Sequence, residues 1–343
     1  MRLSEGEAVI EVPDSGQVSR RMPVFYNPVM KHNRDISIHI LSCIPDINMS
    51  VCLPLAASGI RGIRMLKELD EEKIESVVMG DLKSSAVMQM KTNLALNNIT
   101  SKCEVFCSDA NTFLRSQKPF DYIDIDPFGT PNPFLDSAIR RLKRNAILAV
   151  TATDTASLCG QSQKSCMRKY WAVPLHNHMM HEAGIRILIR KVQLVAAQYA
   201  LALVPIYSYS KDHYMRVFFR CSYGKGAADA LLASQGFYDS FGPMWLGTLW
   251  DNDLACLIAK KAYLLDHSLA VIVRHIAAEA SIGVVGFYDL HDFCKKRNLR
   301  LPKTAVLLSE LAKSHPCSQT HFREHSIRSA ATEEELESLI RNL

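Results

Sequence analysis

Residues 51–81, VCLPLAASGIRGIRMLKELDEEKIESVVMGD, decide the fold. A short apolar run ends in a small-residue turn holding Gly59 and Gly62, a helical stretch starts near Ile60, and a second apolar run, ESVVMGD, closes on Asp81. Apolar runs of strand length that alternate with helices read as βαβ units of a parallel sheet. The pattern continues outward through CEVFCSD (103–109), FDYIDID (120–126) and AILAVTATD (146–154), with helices expected near Ser84, Ala110 and Pro133. Each strand ends on a small or acidic residue just before its helix, so polar groups gather along one edge, where open α/β sheets bind ligands. After a helical region around residues 177–203, VPIYSYS and YMRVFFRCS, joined by KDH, read as a hairpin. The sum is a seven-stranded α/β sheet whose last strand is antiparallel.

A connector, SYGKGAADALLASQGFYDSFGP, puts a domain boundary near residue 223, giving domains 1–222 and 223–343. In the smaller α+β domain, LHDFCKKRN, KTAVLLSELAKS and two short strands around SQTHF and SIRSA resemble a helix-turn-helix with a β-wing. Such units hold nucleic acid or serve as packing modules. The chain's 343 residues, 48% hydrophobic, suffice for two cores. No apolar run reaches membrane-spanning length, and the opening MRLSEGEAVIEV has no signal-peptide pattern, so a cytoplasmic protein without membrane attachment is expected. Ten cysteines include no CxxC pair, which argues for reduced, small apolar side chains and against a metal site. Residues 1–222 carry 27 Lys and Arg against 21 Asp and Glu, whereas the remainder carries 13 against 14. Clusters at Arg140–Arg144, at Lys164, Arg168 and Lys169, and at Arg186, Arg190 and Lys191 are either solvated helix faces or seats for a phosphate backbone.

Four constellations along the sheet edge carry chemistry. Ala57-Ser58-Gly59-Ile60-Arg61-Gly62 lets the backbone and a helix N-terminus approach a ligand, and it lacks the dinucleotide fingerprint GxGxxG. Asp81 suits the two hydroxyls of a ribose or, alternatively, a helix N-cap. Ser108-Asp109-Ala110 offers a carboxylate and a backbone edge to an adenine ring. Asp126-Pro127-Phe128-Gly129 is the most specific. A carboxylate and the Pro127 carbonyl can both accept hydrogen bonds from an aromatic amine, orienting its lone pair, while Phe128 offers a face to an extruded base. Arg34 and Arg61 each suit a forked contact to a ligand carboxylate or a phosphate.

The Asp126 loop resembles the D/N-P-P-Y/F/W loops of amino-group methyltransferases. PVFYNPVMKHNRD, ASGIRGIR, DIDPFGTPNPFLDSAI, LAVTATDTASLCG, KDHYMRVF, GPMWLGTLWD and QTHFREHSIRS are similar, in order from about residue 20 to about residue 330, to the archaeal and eukaryotic tRNA (guanine-26 N2,N2) dimethyltransferases. The resemblance implies a class I methyltransferase Rossmann-like fold, S-adenosylmethionine as cofactor, tRNA as partner, and two methyl transfers to one guanine N2; a monomer without metal is expected. It also implies that Asp126 and Pro127 handle the guanine amine, that Arg34, Arg61, Asp81, Asp109 and Ala110 contact the cofactor, and that Phe25 and Phe128 line the base pocket. Two departures stand out: Leu53 takes the place of an acid usual at the end of the first strand, and the paired cysteines that some relatives carry before the GP-WLG segment are absent. The alternatives are methylation of another guanine N2 or of adenine N6 in RNA or DNA, or a catalytically silent RNA-binding protein on this scaffold.

Overall fold

The structure, a computed structural model, describes residues 1–13 and 22–343. A hairpin of β1 (Arg2–Glu5) and β2 (Ala8–Glu11) precedes α1 (Lys31–Cys43). The α/β alternation then runs β3 (Met49–Leu53), α2 (Ile60–Glu68), β4 (Ile74–Asp81), α3 (Ser84–Leu96), β5 (Cys103–Cys107), α4 (Ala110–Ser116), β6 (Phe120–Ile125), α5 (Asn132–Ile139) and β7 (Leu142–Ala152). Helices α6 (Thr155–Leu158), α7 (Gln163–Tyr170) and α8 (Met180–Ala197) lead to β8 (Leu201–Lys211) and β9 (Tyr214–Tyr223). The sheet order is β5-β4-β3-β6-β7-β9-β8, and β3 to β7 pair in parallel. Two residues join β8 to β9, so these neighbours run antiparallel and the final strand is reversed, as the sequence suggested.

The strands form because their side chains are apolar on both faces: Val51, Ile123, Ile147 and Val150 are wholly buried. The chain's direction of winding changes between β3 and β6, its two central strands, and a reversal of this kind is where open α/β sheets bind ligands, at the strands' carboxyl ends. Gly59 starts α2 with φ +78°, in the left-handed region, and an added Cβ would sit 3.0 Å from Met90 Cγ. The turn therefore needs glycine there.

Beyond α9 (Lys225–Ala233) come β10 (Gln235–Tyr238), β11 (Phe241–Trp245), α10 (Asn252–Lys260), α11 (His267–Ala280), β12 (Tyr288–Asp289), α12 (Leu290–Lys296), α13 (Thr304–Leu311), β13 (Cys317–Gln319), β14 (Ser326–Ser329) and α14 (Glu333–Arg341). Strands β12, β14 and β13 form an antiparallel sheet in that order, and with α11, α12 and α13 they make a winged helix. Its core is Leu290, Phe293, Leu307, Leu311, Ile327 and Leu336.

The compact units of the chain are not divided by a single cut at 222/223. The chain forms two compact units: Met1–Asp154 with Lys191–Val204 and Arg216–Leu232, and Thr155–Arg190 with Pro205–Met215 and Ala233–Leu343. The segment Thr155–Arg190 belongs to the second unit because of buried charge that periodicity does not report. Glu182 in α8 is fully buried, and Arg328 Nη2 bonds its Oε2 at 2.7 Å while the Gly286 amide bonds its Oε1 at 2.9 Å. Arg328 also holds Glu279 through Nε at 2.9 Å. Burial by itself raises the Glu182 carboxyl, but the Arg328 and Arg186 guanidiniums outweigh it and bring the pKa down to about 2. Such a charge in a core is tolerable only with its partners in place, so α8's first half is tied to its own unit. None of the ten cysteines is disulfide-bonded, and no described helix is long and apolar enough to cross a membrane.

Candidate active site

The first unit concentrates its polar groups where β3, β4, β5 and β6 end. Asp126 follows directly on β6. Its Oδ2 accepts a bond from Arg61 Nη2, the same nitrogen that reaches Asn33 Oδ1 at 2.8 Å. Arg61 Nη1 donates to Ser37 Oγ at 2.9 Å and lies 3.5 Å from Asp124 Oδ2. Asp124, two residues back on the same face of β6, is held by Arg216 of β9, with Nη1 to Oδ1 at 2.7 Å and Nη2 to Oδ2 at 2.6 Å. Arg216 Nη1 also reaches Thr151 Oγ1 at 2.7 Å. Burial pushes the Asp124 carboxyl up, yet the Arg216 and Arg61 guanidiniums outweigh it, and the group lies below the ordinary carboxylate range. Two cations and two carboxylates thus form a neutral quartet, which is how a core holds four charges.

The quartet leaves one acceptor open. Neither Asp126 Oδ1 nor the Pro127 carbonyl takes a hydrogen bond from a described residue, and the Asp126 side chain keeps 21% of its exposure. The loop that bears them is clamped at Gly129 (φ +85°): its N–H donates to Thr153 Oγ1 at 2.6 Å, and its carbonyl accepts from the Thr153 N–H at 2.9 Å. Phe128 is exposed, and its ring meets that of Phe25 edge to face, centroids 4.2 Å apart. The structure therefore brings Phe25, from the segment before α1, against Phe128 of the loop that carries Asp126.

Asp81 ends β4 half-buried. Its Oδ2 accepts from the Ala57 N–H at 3.1 Å and its Oδ1 from the Lys83 N–H at 2.9 Å. It does not cap α3, whose N-cap is Lys83 without a side-chain bond, so the capping alternative does not hold. Asp109 does cap: its Oδ1 takes the Asn111 and Thr112 N–H groups at 3.0 and 3.1 Å, leaving Oδ2 outside these bonds on an exposed residue. Ala110, the first residue of α4, is buried.

Arg34 stands apart from the quartet. Its forked contact goes to Glu5 of β1, Nε to Oε1 and Nη2 to Oε2, both 2.6 Å. Arg64 also reaches Glu5 Oε1, at 2.9 Å. Burial raises the Glu5 carboxyl, and the Arg34 and Arg64 guanidiniums more than reverse this, to about 2. Leu53, in place of the usual acid, is buried.

Sequence reasoning missed Asn33, Ser37, Asp124, Thr153 and Arg216. Arg216 had a signal: in YMRVFFRCS it is a charge within an apolar run, and such a residue in a buried strand needs a carboxylate partner. Asp124 carries the same signal within FDYIDID. Of the basic clusters, Arg141 spends its guanidinium on the Leu114 and Arg115 carbonyls, Lys143 binds Asp121 at 2.7 Å, and Arg186 is buried against Glu182 at 2.8 Å.

A sheet of this order with a reversed final strand, a glycine turn after its first parallel strand, and carboxylates closing the next strands define a class I methyltransferase. The chain belongs to the N2,N2-dimethylguanosine tRNA methyltransferase family, whose sequence profile matches residues 6–240 and 235–341. It is 37% identical to the tRNA (guanine(26)-N(2))-dimethyltransferase of Methanocaldococcus jannaschii, over 97% of this chain and 96% of that one. It is 38% identical to the tRNA (guanine(26)-N(2)/guanine(27)-N(2))-dimethyltransferase of Aquifex aeolicus, over 87% and 85%. The structure of Trm1 from Pyrococcus horikoshii with S-adenosyl-L-methionine superposes with a TM-score of 0.89 at 32% identity, covering 99% of both chains.

Proposed function

We propose that this protein transfers two methyl groups from S-adenosylmethionine to the N2 amino group of guanine 26 in tRNA. The observation that carries the reading is the state of Asp126: one carboxylate oxygen is anchored by Arg61 and the other is left without a bond, beside the unengaged Pro127 carbonyl. An exocyclic purine amine is a weak nucleophile, because its lone pair is delocalised into the ring. In the first transfer two fixed acceptors hold the amine's two hydrogens and turn the lone pair out of the ring plane, and Asp126 Oδ1 takes the proton released as the new N–C bond forms; once that proton has passed to water, the one remaining hydrogen faces Asp126 Oδ1 and is released to it in the second transfer. Arg61 keeps the carboxylate oriented, and Asp124 with Arg216 keeps Arg61 in place. Phe25 and Phe128 give the extruded base an aromatic surface.

The donor set fits the cofactor. Asp81, half-exposed with one N–H on each oxygen, retains lone pairs for two ribose hydroxyls, and the uncommitted Oδ2 of Asp109 suits an adenine amine beside the Ala110 backbone. The sequence also offered Arg34 and Arg61 to the methionine carboxylate, but the Arg34 fork is committed to Glu5, and the two Arg61 Nη atoms are committed to Asp126, Asn33 and Ser37, where they orient the reacting carboxylate instead. The bound cofactor supplies an electrophilic methyl group, and the chain supplies its binding and the acceptor for the proton. In domain terms, the sheet-bearing unit does the chemistry and the winged-helix unit holds tRNA.

The test is incubation with an unmodified tRNA transcript and labelled cofactor, followed by digestion and identification of the nucleoside. N2,N2-dimethylguanosine at position 26 is expected. A methylated adenosine, or no label, would reject the reading.

A further inference from the structure

Helix α7 has two unlike faces. Cys166 and Tyr170 are buried. Lys164, Met167, Arg168 and Trp171, spaced i, i+3, i+4 and i+7, are all exposed and so form one stripe on the opposite side. Met167 and Trp171 expose 49% and 56% of their surface. Trp171 closes the helix in the left-handed conformation, φ +56° and ψ +43°. Glycine adopts that conformation without cost and is the usual residue at a helix end of this kind, whereas a tryptophan is strained there. Folding stability thus disfavours a tryptophan here through its backbone, and more than half of the residue is nevertheless kept at the surface. The position is also fixed rather than loose: the Trp171 N–H bonds the Met167 carbonyl at 3.2 Å, and the Trp171 carbonyl accepts from Arg190 Nη1 at 3.5 Å. From Thr155 to His181 the chain has no Asp or Glu, so the segment supplies no acid of its own to Lys164 and Arg168.

We infer that this stripe of α7 is a docking surface for RNA, with Lys164 and Arg168 on backbone phosphates and the Trp171 ring stacked on an unpaired base. A strained, exposed aromatic ring at the end of a stripe that carries two cations matches a polyanion that also presents flat apolar faces, and RNA loops have both properties. Proteins that bind duplex phosphates alone need the cations and not the ring. The inference rests on the proposed action on tRNA and gives it a place on the second unit.

The experiment measures equilibrium binding of an unmodified tRNA transcript across a salt series, with cofactor affinity recorded for the same preparations. The K164E/R168E variant is expected to raise the tRNA Kd at least tenfold and to reduce the slope of log K against log salt by about 2, one for each phosphate that no longer has a cation beside it. The W171A variant is expected to raise the Kd about tenfold with the slope unchanged, and to leave binding of a blunt RNA duplex as it was. Wild-type cofactor affinity in both variants shows that they are folded. If the wild-type protein binds and methylates tRNA and both variants match it, the inference alone falls. If the wild-type protein neither binds nor methylates tRNA, the inference falls together with the proposed function. Loss of binding to phosphatidylserine vesicles in the variants, with tRNA binding retained, would overturn the inference and assign the stripe to a lipid surface.

Discussion

Replacing Arg216 by Met removes one cation from the buried quartet and leaves Asp124 with a single cationic neighbour, Arg61, 3.5 Å away. Arg216 is wholly buried, and its loss strips two charge-assisted bonds, of 2.7 and 2.6 Å, from a carboxylate that is itself only 3% exposed. Breaking a buried pair from one side costs about 3–5 kcal/mol, because the remaining charge is stranded away from water. With a urea m-value of about 3 kcal/mol per molar, the unfolding midpoint should fall by about 1–1.7 M. D124N strands Arg216 in the same way and should be similarly harmful. The double variant D124N/R216M removes both charges together, so it should lose less than the sum of the singles, by about 2 kcal/mol or more. The assay is urea unfolding of the four proteins followed by far-UV circular dichroism. Activity adds a second reading: in R216M the unpaired Asp124 competes for Arg61, so kcat should fall, and in the double variant it should partly return. Additive losses across the cycle, or an R216M midpoint within 0.3 M of wild type on the scale of about 1 M expected, would refute the account of the quartet.

Asp126→Ala should lower kcat by about a thousandfold, within the range for loss of a general base, while calorimetry finds cofactor Kd within about threefold of wild type; a large loss of cofactor binding would move Asp126 to the donor site. Asp81→Ala removes acceptors from the assigned ribose contact and unties the Ala57 turn, so the cofactor KM should rise about tenfold with kcat little changed; steady-state kinetics with saturating tRNA decides. For pH, Glu5 titrates at about 2 in the folded protein against an ordinary value of 4.5, so its contribution is complete above about pH 4.5 and is lost as the pH falls toward 2. Glu5→Gln should therefore lower the urea midpoint at pH 7 and flatten its dependence between pH 5 and 3 on the scale of about one carboxylate; an unchanged pH dependence would contradict the Arg34–Glu5–Arg64 linkage.

Much of the fold was legible in the sequence because its signals are local. The alternation of apolar runs with helices located β3 to β7, and helix starts at Ile60, Ser84 and Ala110 agree with the structure. The hairpin of β8 and β9 followed from two apolar runs and a polar turn, and the winged helix from its order of elements. The Asp126 loop was legible because proline and glycine constrain a short segment that carries its own acceptors.

The partners of charged residues were not legible, because a salt bridge between distant segments leaves no periodic trace. Arg34 was assigned to a ligand carboxylate, and the structure gives it one from Glu5, 29 residues earlier. Arg186 was counted with a surface patch and is in the core of the second unit, facing Glu182. Arg216 lies 92 residues from the Asp124 it holds. Composition and spacing determined which chemistry the chain carries and along which sheet edge it collects. Tertiary structure alone decided which carboxylate each guanidinium satisfies, and therefore which oxygen of Asp126 is left without a bond, since burying a charge is tolerable only when an opposite charge from elsewhere in the chain arrives beside it.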